Sequence, residues 1–361
     1  MFNINNIFEI QPYSLSCNEK SQIYVDMLKN LTEHHMINCP QYNKLLNTLG
    51  FKLKTVKNVE EFPYIPVRLF KEYELLSIDK SQVIKTMTSS GTTGHSVSKI
   101  FLDKVTSLNQ TKALTKIVSS FTGKKRLPML IIDTSAVIKD RNLFSARGAG
   151  ILGFSMLGYD IKYALDENMN LDIEGIRAFL KKHDGETIFL FGFTFMIWEH
   201  FYRVLHDTNN KLNLENSVLI HGGGWKKLAD QAVDNNCFKG YLNDVCGISK
   251  IYNYYGMVEQ TGSIFMECEE GHLHSSIYSD VIIRDHKDFR DLGTGEKGLI
   301  QLISLLPLSY PGHSILSEDL GELIGEDDCP CGRKGKYFKI YGRIKSAEVR
   351  GCSDTYAVRK P

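Results

Sequence analysis

Four stretches of this 361-residue chain combine residue types that can handle a polyphosphate. Thr88-Ser-Ser-Gly-Thr-Thr-Gly94 gathers hydroxyls and two glycines in one turn after the run Val83 to Met87. Backbone N–H groups and hydroxyls there can cradle phosphate, and glycine lets the backbone come close. It is not a Walker A loop, because no Gly-Lys-Ser/Thr follows; a plain Ser/Gly hairpin is the competing explanation. His221-Gly-Gly-Gly224 follows an apolar run, where a parallel sheet leaves room for a ligand at its strand ends. Tyr254-Tyr-Gly-Met-Val-Glu-Gln-Thr-Gly262 offers an aromatic ring to stack on a purine and, in Glu259, an oxygen ligand for Mg²⁺. In the fourth, Asp319 within Ser317–Gly321 can meet ribose hydroxyls, and Arg343 within Tyr341–Lys345 can reach phosphate. Taken singly, each also reads as an ordinary turn or strand end.

Eight cysteines add a second kind of chemistry. Cys329 and Cys331 flank a proline, with Cys268, His272 and His274 upstream. Thiolates and imidazoles are the soft ligands of a closed tetrahedral Zn²⁺ site. The expected set is Cys268, His274, Cys329 and Cys331, with His272 as the substitute and a structural role. Unliganded cysteines in turns are the alternative. Cys352 sits beside Arg350 near the end of the sequence, where positive charge favours the nucleophilic thiolate.

These residues need a scaffold, and the hydropathy pattern supplies one. Short apolar runs at Met129–Asp133, Thr187–Phe191, Ser217–His221 and Lys250–Tyr254 alternate with helical stretches at Ile173–Lys182, Thr194–Leu205 and Trp225–Asn235. Such alternation predicts an α/β fold with parallel strands flanked by helices. Two helices are expected before it, one from Asn18 or Ser21 through Leu31 and one from Gln41 to Leu49, stopped by Gly50. The proline-rich Phe62–Val67 is expected to be irregular. After Gly262 the texture changes to strands at Ile264–Glu267, Asp280–Arg284 and Leu299–Leu305. The expected organisation is an α/β core over 1–262, a smaller β-rich lobe over 263–345, and a short tail over 346–361.

With 43 basic against 42 acidic residues, the net charge of +1 gives no electrostatic reason to expect nucleic acid as a partner. No apolar run approaches the roughly 20 residues that span a bilayer, and the N-terminal stretch lacks the pattern of a secretory signal. A cytoplasmic location is the expectation.

Order and spacing of the four stretches resemble the adenylate-forming superfamily of acyl-CoA synthetases and aryl-CoA ligases. On that resemblance Ser89, Ser90, Gly91, Thr92, Thr93 and Gly94 match the phosphate loop, and Gly222, Gly223 and Gly224 the adenine loop. Tyr255, Gly256 and Glu259 match the Tyr-Gly-x-Thr-Glu motif, Asp319 the ribose aspartate, and Gly342 to Lys345 the hinge. Val258 departs from the pattern, standing where the family has a threonine that contacts the α-phosphate. Pro63-Tyr-Ile-Pro-Val-Arg-Leu-Phe-Lys71, Tyr254-Tyr-Gly-Met-Val-Glu259, Cys329-Pro-Cys-Gly332 and Arg350-Gly-Cys-Ser353 together narrow the likeness to the LuxE-type acyl-protein synthetases, with phenylacetate-CoA ligases a more distant likeness.

The resemblance implies ATP, Mg²⁺, a fatty or other carboxylic acid, and an acyl reductase partner. It casts Glu259, Arg343, Lys345 and Cys352 as catalytic, Cys352 receiving the acyl group. Full-length superfamily ligases carry a mobile C-terminal lid beyond the hinge. Only sixteen residues follow Lys345 here, too few to fold alone, so the lid is expected to be missing or vestigial. An acyl- or aryl-CoA ligase using free coenzyme A, and a non-catalytic nucleotide- or acyl-binding scaffold, are the competing functions.

Overall fold

A computed structural model describes residues 4–89, 97–139 and 146–344. The chain divides into two compact units. Among the described residues, one gathers 118–139 and 146–255, the other 4–89, 97–117 and 256–344.

The first unit is the α/β part. Its strands Leu127–Thr134, Gly158–Leu165, Ile188–Phe193, Ser217–Gly222 and Lys250–Tyr255 are all parallel. Leu127–Thr134 pairs with both Gly158–Leu165 and Ile188–Phe193, and the order then runs through Ser217–Gly222 to Lys250–Tyr255. Buried on both faces, the central strands read as unbroken apolar runs, as a helix-covered parallel sheet requires. Helix Ile173–Lys182 begins where Asp172 caps the N–H of Gly175, and it buries Ile176 and Phe179. A helical stretch over Thr194–Asp207 contains a π-helical turn at Trp198–Tyr202. Phe201, Leu205 and Trp198 pack with Leu190, Leu219, Phe238 and Leu242 into one apolar core.

One helix lies elsewhere than expected. Lys226–Gln231 forms only a short 3-10 segment, and the regular helix spans Asn235–Cys246. Asp234 caps it by accepting from the Cys237 N–H, and Gly247 ends it at φ +74°.

The second unit is mainly antiparallel. Ser279–Arg284 pairs with Lys297–Ser304, which pairs with Ser314–Glu326, then Lys336–Arg343, Leu273–His274 and Phe265–Glu267. By contacts, this β-rich part groups with residues 4–89 and 97–117. Residues from the N-terminal third complete it, because Ile65–Pro66 pairs in parallel with Ile315–Leu316. A proline tolerates the edge of a sheet, so the proline-rich segment carries a two-residue strand. Helix Cys17–Asn38 starts earlier than expected, capped by Ser16 rather than by Asn18 or Ser21, on a capping box between Ser16 and Glu19. Helix Pro40–Thr48 follows, and Gly50 at φ +63° turns the chain away.

Candidate active site

In the α/β unit, the glycines expected to approach a ligand stand at the carboxyl end of Ser217–Gly222. Gly222 packs so tightly on Tyr254 that a Cβ there would collide with the ring, and Gly223 takes φ +76°. Tyr254 is held in turn by Phe154 at 5.2 Å between ring centroids. A small residue is therefore required at Gly222 by packing and at Gly223 by backbone geometry, whereas a Cβ at Gly224 would meet nothing within 4 Å.

His221 is buried at the same strand end. Its Nδ1 lies 2.9 Å from the Thr194 hydroxyl, which also lies 2.9 Å from the Gly223 carbonyl oxygen. A carbonyl only accepts, so the arrangement that satisfies all three has Thr194 donate to Gly223 and His221 Nδ1–H donate to Thr194. Burial, with the Lys239 charge adding to it, lowers the imidazole pKa to about 3, so the ring is neutral. Nothing in the sequence pattern singles out Thr194, because its partners lie 27 to 29 residues away. Another pair hidden from sequence joins Arg147 Nε to Asp133 Oδ2 at 2.6 Å, both fully buried, near the end of Leu127–Thr134.

In the antiparallel unit, Ser89 closes the hairpin of Lys85–Thr88 and Lys99–Leu102. Its N–H donates to the Ser98 carbonyl at 3.1 Å and its hydroxyl accepts from the Ser98 N–H at 2.9 Å. Ser89 thus anchors the base of the glycine-rich loop. Ser90, Gly91, Thr92, Thr93 and Gly94 lie outside the described residues, as do Lys345 and Cys352.

The Tyr-Gly-x-x-Glu stretch divides: Tyr255 ends the parallel strand Lys250–Tyr255, Gly256 is exposed, and Glu259 sits on a 3-10 turn over Val258–Gln260. Glu259 is only 3% exposed, and the Tyr310 hydroxyl donates to its carbonyl oxygen at 2.9 Å. Val258 offers no hydroxyl side chain. The nearby hydroxyl, on Thr261, donates to the Val258 carbonyl oxygen at 2.8 Å. Asp319 and Arg343, read from sequence as turn residues, are register partners on Ser314–Glu326 and Lys336–Arg343. Arg343 Nε stands 3.6 Å from Asp319 Oδ1, and Gly342 takes φ +104° beside it.

The cysteine–histidine set is brought together within this unit. Ligand atoms of Cys268, His274, Cys329 and Cys331 all lie within 4.8 Å of one another. Cys268 Sγ and Cys329 Sγ are 3.9 Å apart, and Cys331 Sγ is 3.4 Å from His274 Nε2. Two thiolates at about 2.3 Å from a tetrahedral zinc stand about 3.8 Å apart, so these separations fit the edges of a zinc tetrahedron. His272 is the near miss, with Nδ1 3.5 Å from Cys329 Sγ. Two turns build the cluster: Gly271 at φ +76° folds Cys268 toward His272, and Asp327 accepts the Gly335 N–H at 2.8 Å across the loop holding Cys329 and Cys331. Burial raises the Cys329 thiol to about 12 and lowers His274 to about 4, with Arg333 adding to the latter. Arg333 also pairs with Glu269 and lies 5.9 Å from the Tyr13 ring.

A parallel α/β unit with glycines at its strand ends, and an antiparallel unit with a buried glutamate and an Asp–Arg pair, together define the fold of an adenylate-forming ligase. An open conformation of 2-hydroxyisobutyryl-CoA ligase in complex with 2-HIB-AMP and CoA matches with a TM-score of 0.67. The match covers 92% of this chain and 77% of that one at 16% identity. Within that class the chain belongs to the acyl-protein synthetase, LuxE, family, whose pattern it matches over residues 3–359. The long-chain-fatty-acid–luciferin-component ligase of Vibrio harveyi is 23% identical over 358 residues, covering 96% of this chain and 90% of that protein. Its counterpart from Aliivibrio fischeri is 22% identical over 361 residues, covering 96% and 91%. Among the described residues no helix is long and apolar enough to cross a membrane.

Proposed function

We propose that this chain activates a long-chain fatty acid with ATP and transfers the acyl group to a thiol. The observation that carries the reading is the family match over residues 3–359, which takes in both units and every stretch singled out above. A carboxylate oxygen attacks the α-phosphorus of ATP, the bond to the β-phosphate oxygen breaks, and pyrophosphate leaves. The Cys352 sulfur then attacks the acyl carbon, AMP leaves, and the thiol proton passes to solvent. The acyl group goes on to an acyl reductase.

In this reading Asp319 and Arg343 hold the nucleotide's ribose and phosphates, and Gly222 to Gly224 admit its base. Mg²⁺ would neutralise phosphate charge. Glu259 suits it, because Mg²⁺ bound with a nucleotide asks the protein for only one or two carboxylates. Lys345 serves at the hinge. Zn²⁺ at Cys268, His274, Cys329 and Cys331 would have a full shell and hence a structural role. Free thiols and a thioester intermediate suit the reducing cytoplasm.

A second reading, an acyl-CoA ligase, draws support from the likeness in fold to a CoA ligase. Intact-mass analysis after incubation with ATP, Mg²⁺ and fatty acids, without coenzyme A, separates the two. A hydroxylamine-labile adduct that disappears in Cys352→Ser supports the acyl-protein synthetase. No adduct, with AMP released only once coenzyme A is added, transfers the assignment to the CoA ligase.

A further inference from the structure

The turn bearing Glu259 is clamped from three sides by buried groups of its own unit. Tyr310, fully buried, donates its hydroxyl to the Glu259 carbonyl oxygen at 2.9 Å. Gln260, 1% exposed, donates through Nε2 to the carbonyl oxygens of Leu302, at 3.0 Å, and Gly312, at 2.9 Å. Gly262 at φ +85° closes the turn against Gln110, where a Cβ would stand 2.6 Å from the Gln110 carbonyl oxygen. Gly312 is equally constrained, since a Cβ there would collide with the Tyr310 ring and stand 3.0 Å from the Glu259 carbonyl oxygen. One residue beyond Gly262, the Ser263 and Ser304 hydroxyls pair.

These contacts fix the main chain on either side of the glutamate. A metal ligand gains from such preorganisation, because less rotational freedom is lost on binding.

We infer that Tyr310 and Gln260 are positioning residues that aim the Glu259 carboxylate at the divalent cation accompanying ATP. This rests on the reading that Glu259 is a ligand of that cation. Both act through the backbone around the turn.

Mn²⁺ serves as the probe, its free concentration read by electron paramagnetic resonance during titration of the full chain with α,β-methylene-ATP. Tyr310→Phe removes one hydroxyl and Gln260→Met removes both amide bonds. Each should weaken Mn²⁺ binding about tenfold while leaving nucleotide affinity without metal unchanged. Tyr24→Phe is the matched control. Tyr24 is also fully buried in this unit and donates to a carbonyl, that of Ile277, at 3.0 Å. Its variant should lose comparable thermal stability yet bind Mn²⁺ as the unaltered chain does. Mn²⁺ affinities of Tyr310→Phe and Gln260→Met equal to that of Tyr24→Phe would overturn the inference. Glu259→Gln, run in parallel, separates the two levels. Undiminished Mn²⁺ binding there overturns the ligand reading and this inference with it, whereas its loss beside unaltered Tyr310 and Gln260 variants overturns only the positioning.

Discussion

Arg343 Nε lies 3.6 Å from Asp319 Oδ1, and the two residues face each other as register partners on antiparallel strands. Residues 24 apart in sequence are thereby set by a backbone ladder rather than by loop conformation, which fixes their separation before any nucleotide arrives. Asp319 is further restrained by its N–H, which donates to the Ser317 hydroxyl at 3.2 Å.

If the pair acts as one nucleotide clamp, its two halves must be strongly non-additive. Asp319→Ala and Arg343→Ala should each lower kcat/KM for ATP by about a hundredfold, and the double variant by little more than either alone. Steady-state kinetics with ATP varied at saturating acid checks this. A double variant whose loss is the product of the single losses would show two independent contacts instead.

The cysteine–histidine cluster makes a separate, compositional prediction. Protein purified without chelator should hold about one zinc per chain, by elemental analysis. Cys329→Ser should abolish retention, and Cys268→Ser likewise. His272→Ala should retain the metal and His274→Ala should lose it, because Nε2 of His274 faces Cys331 while His272 stands beside the set. Metal removal should lower thermal stability, since the ligands join the Leu273–His274 strand to the 329–331 turn. Retention of zinc after loss of Cys329 and Cys331 together would place the metal elsewhere.

His183 predicts a pH dependence of stability. Its Nε2 lies 2.6 Å from Asp160 Oδ2 and its Nδ1 2.8 Å from Glu186 Oε1. Burial disfavours the imidazolium, but the hydrogen bonds and charges of Glu186 and Asp160 outweigh it, so the pKa is raised above 6.5. A raised folded-state pKa contributes stability that is complete below the unfolded value and fades as pH rises through the folded one. Urea midpoints of the unaltered chain should therefore fall relative to those of His183→Gln as pH rises from about 6.5 through the raised folded-state pKa. A constant difference across that range would mean the imidazole does not titrate with folding.

How much of this was legible beforehand varies by element. Four of the five described parallel strands could be read, the central ones because burial on both faces leaves unbroken runs such as Ile188–Phe193 and Ser217–Gly222, whereas the partly exposed Gly158–Leu165 gave no such run. The long strand Ser314–Glu326 could not. Its middle, Ser317-Glu-Asp-Leu-Gly321, is half-buried and polar, and polar residues with glycine imitate a turn. The helical stretch expected over Trp225–Asn235 falls instead on Asn235–Cys246, where the Asp234 cap marks the start. In the site, residue types and spacing pointed to Glu259, Asp319, Arg343 and the four metal-binding candidates. Partnerships made by the fold stayed hidden, as with Thr194 and His221 or Tyr310 and Glu259, since only tertiary contact pairs them.

Acid-dependent exchange of labelled pyrophosphate into ATP, without coenzyme A, tests the central claim most directly. The account predicts exchange that requires Mg²⁺, peaks with long-chain fatty acids, persists in Cys352→Ser and falls by at least a hundredfold in Glu259→Gln, in line with the loss of a charge-stabilising group. No exchange with any acid, in folded protein that binds ATP, would contradict it and leave the chain a nucleotide-binding scaffold.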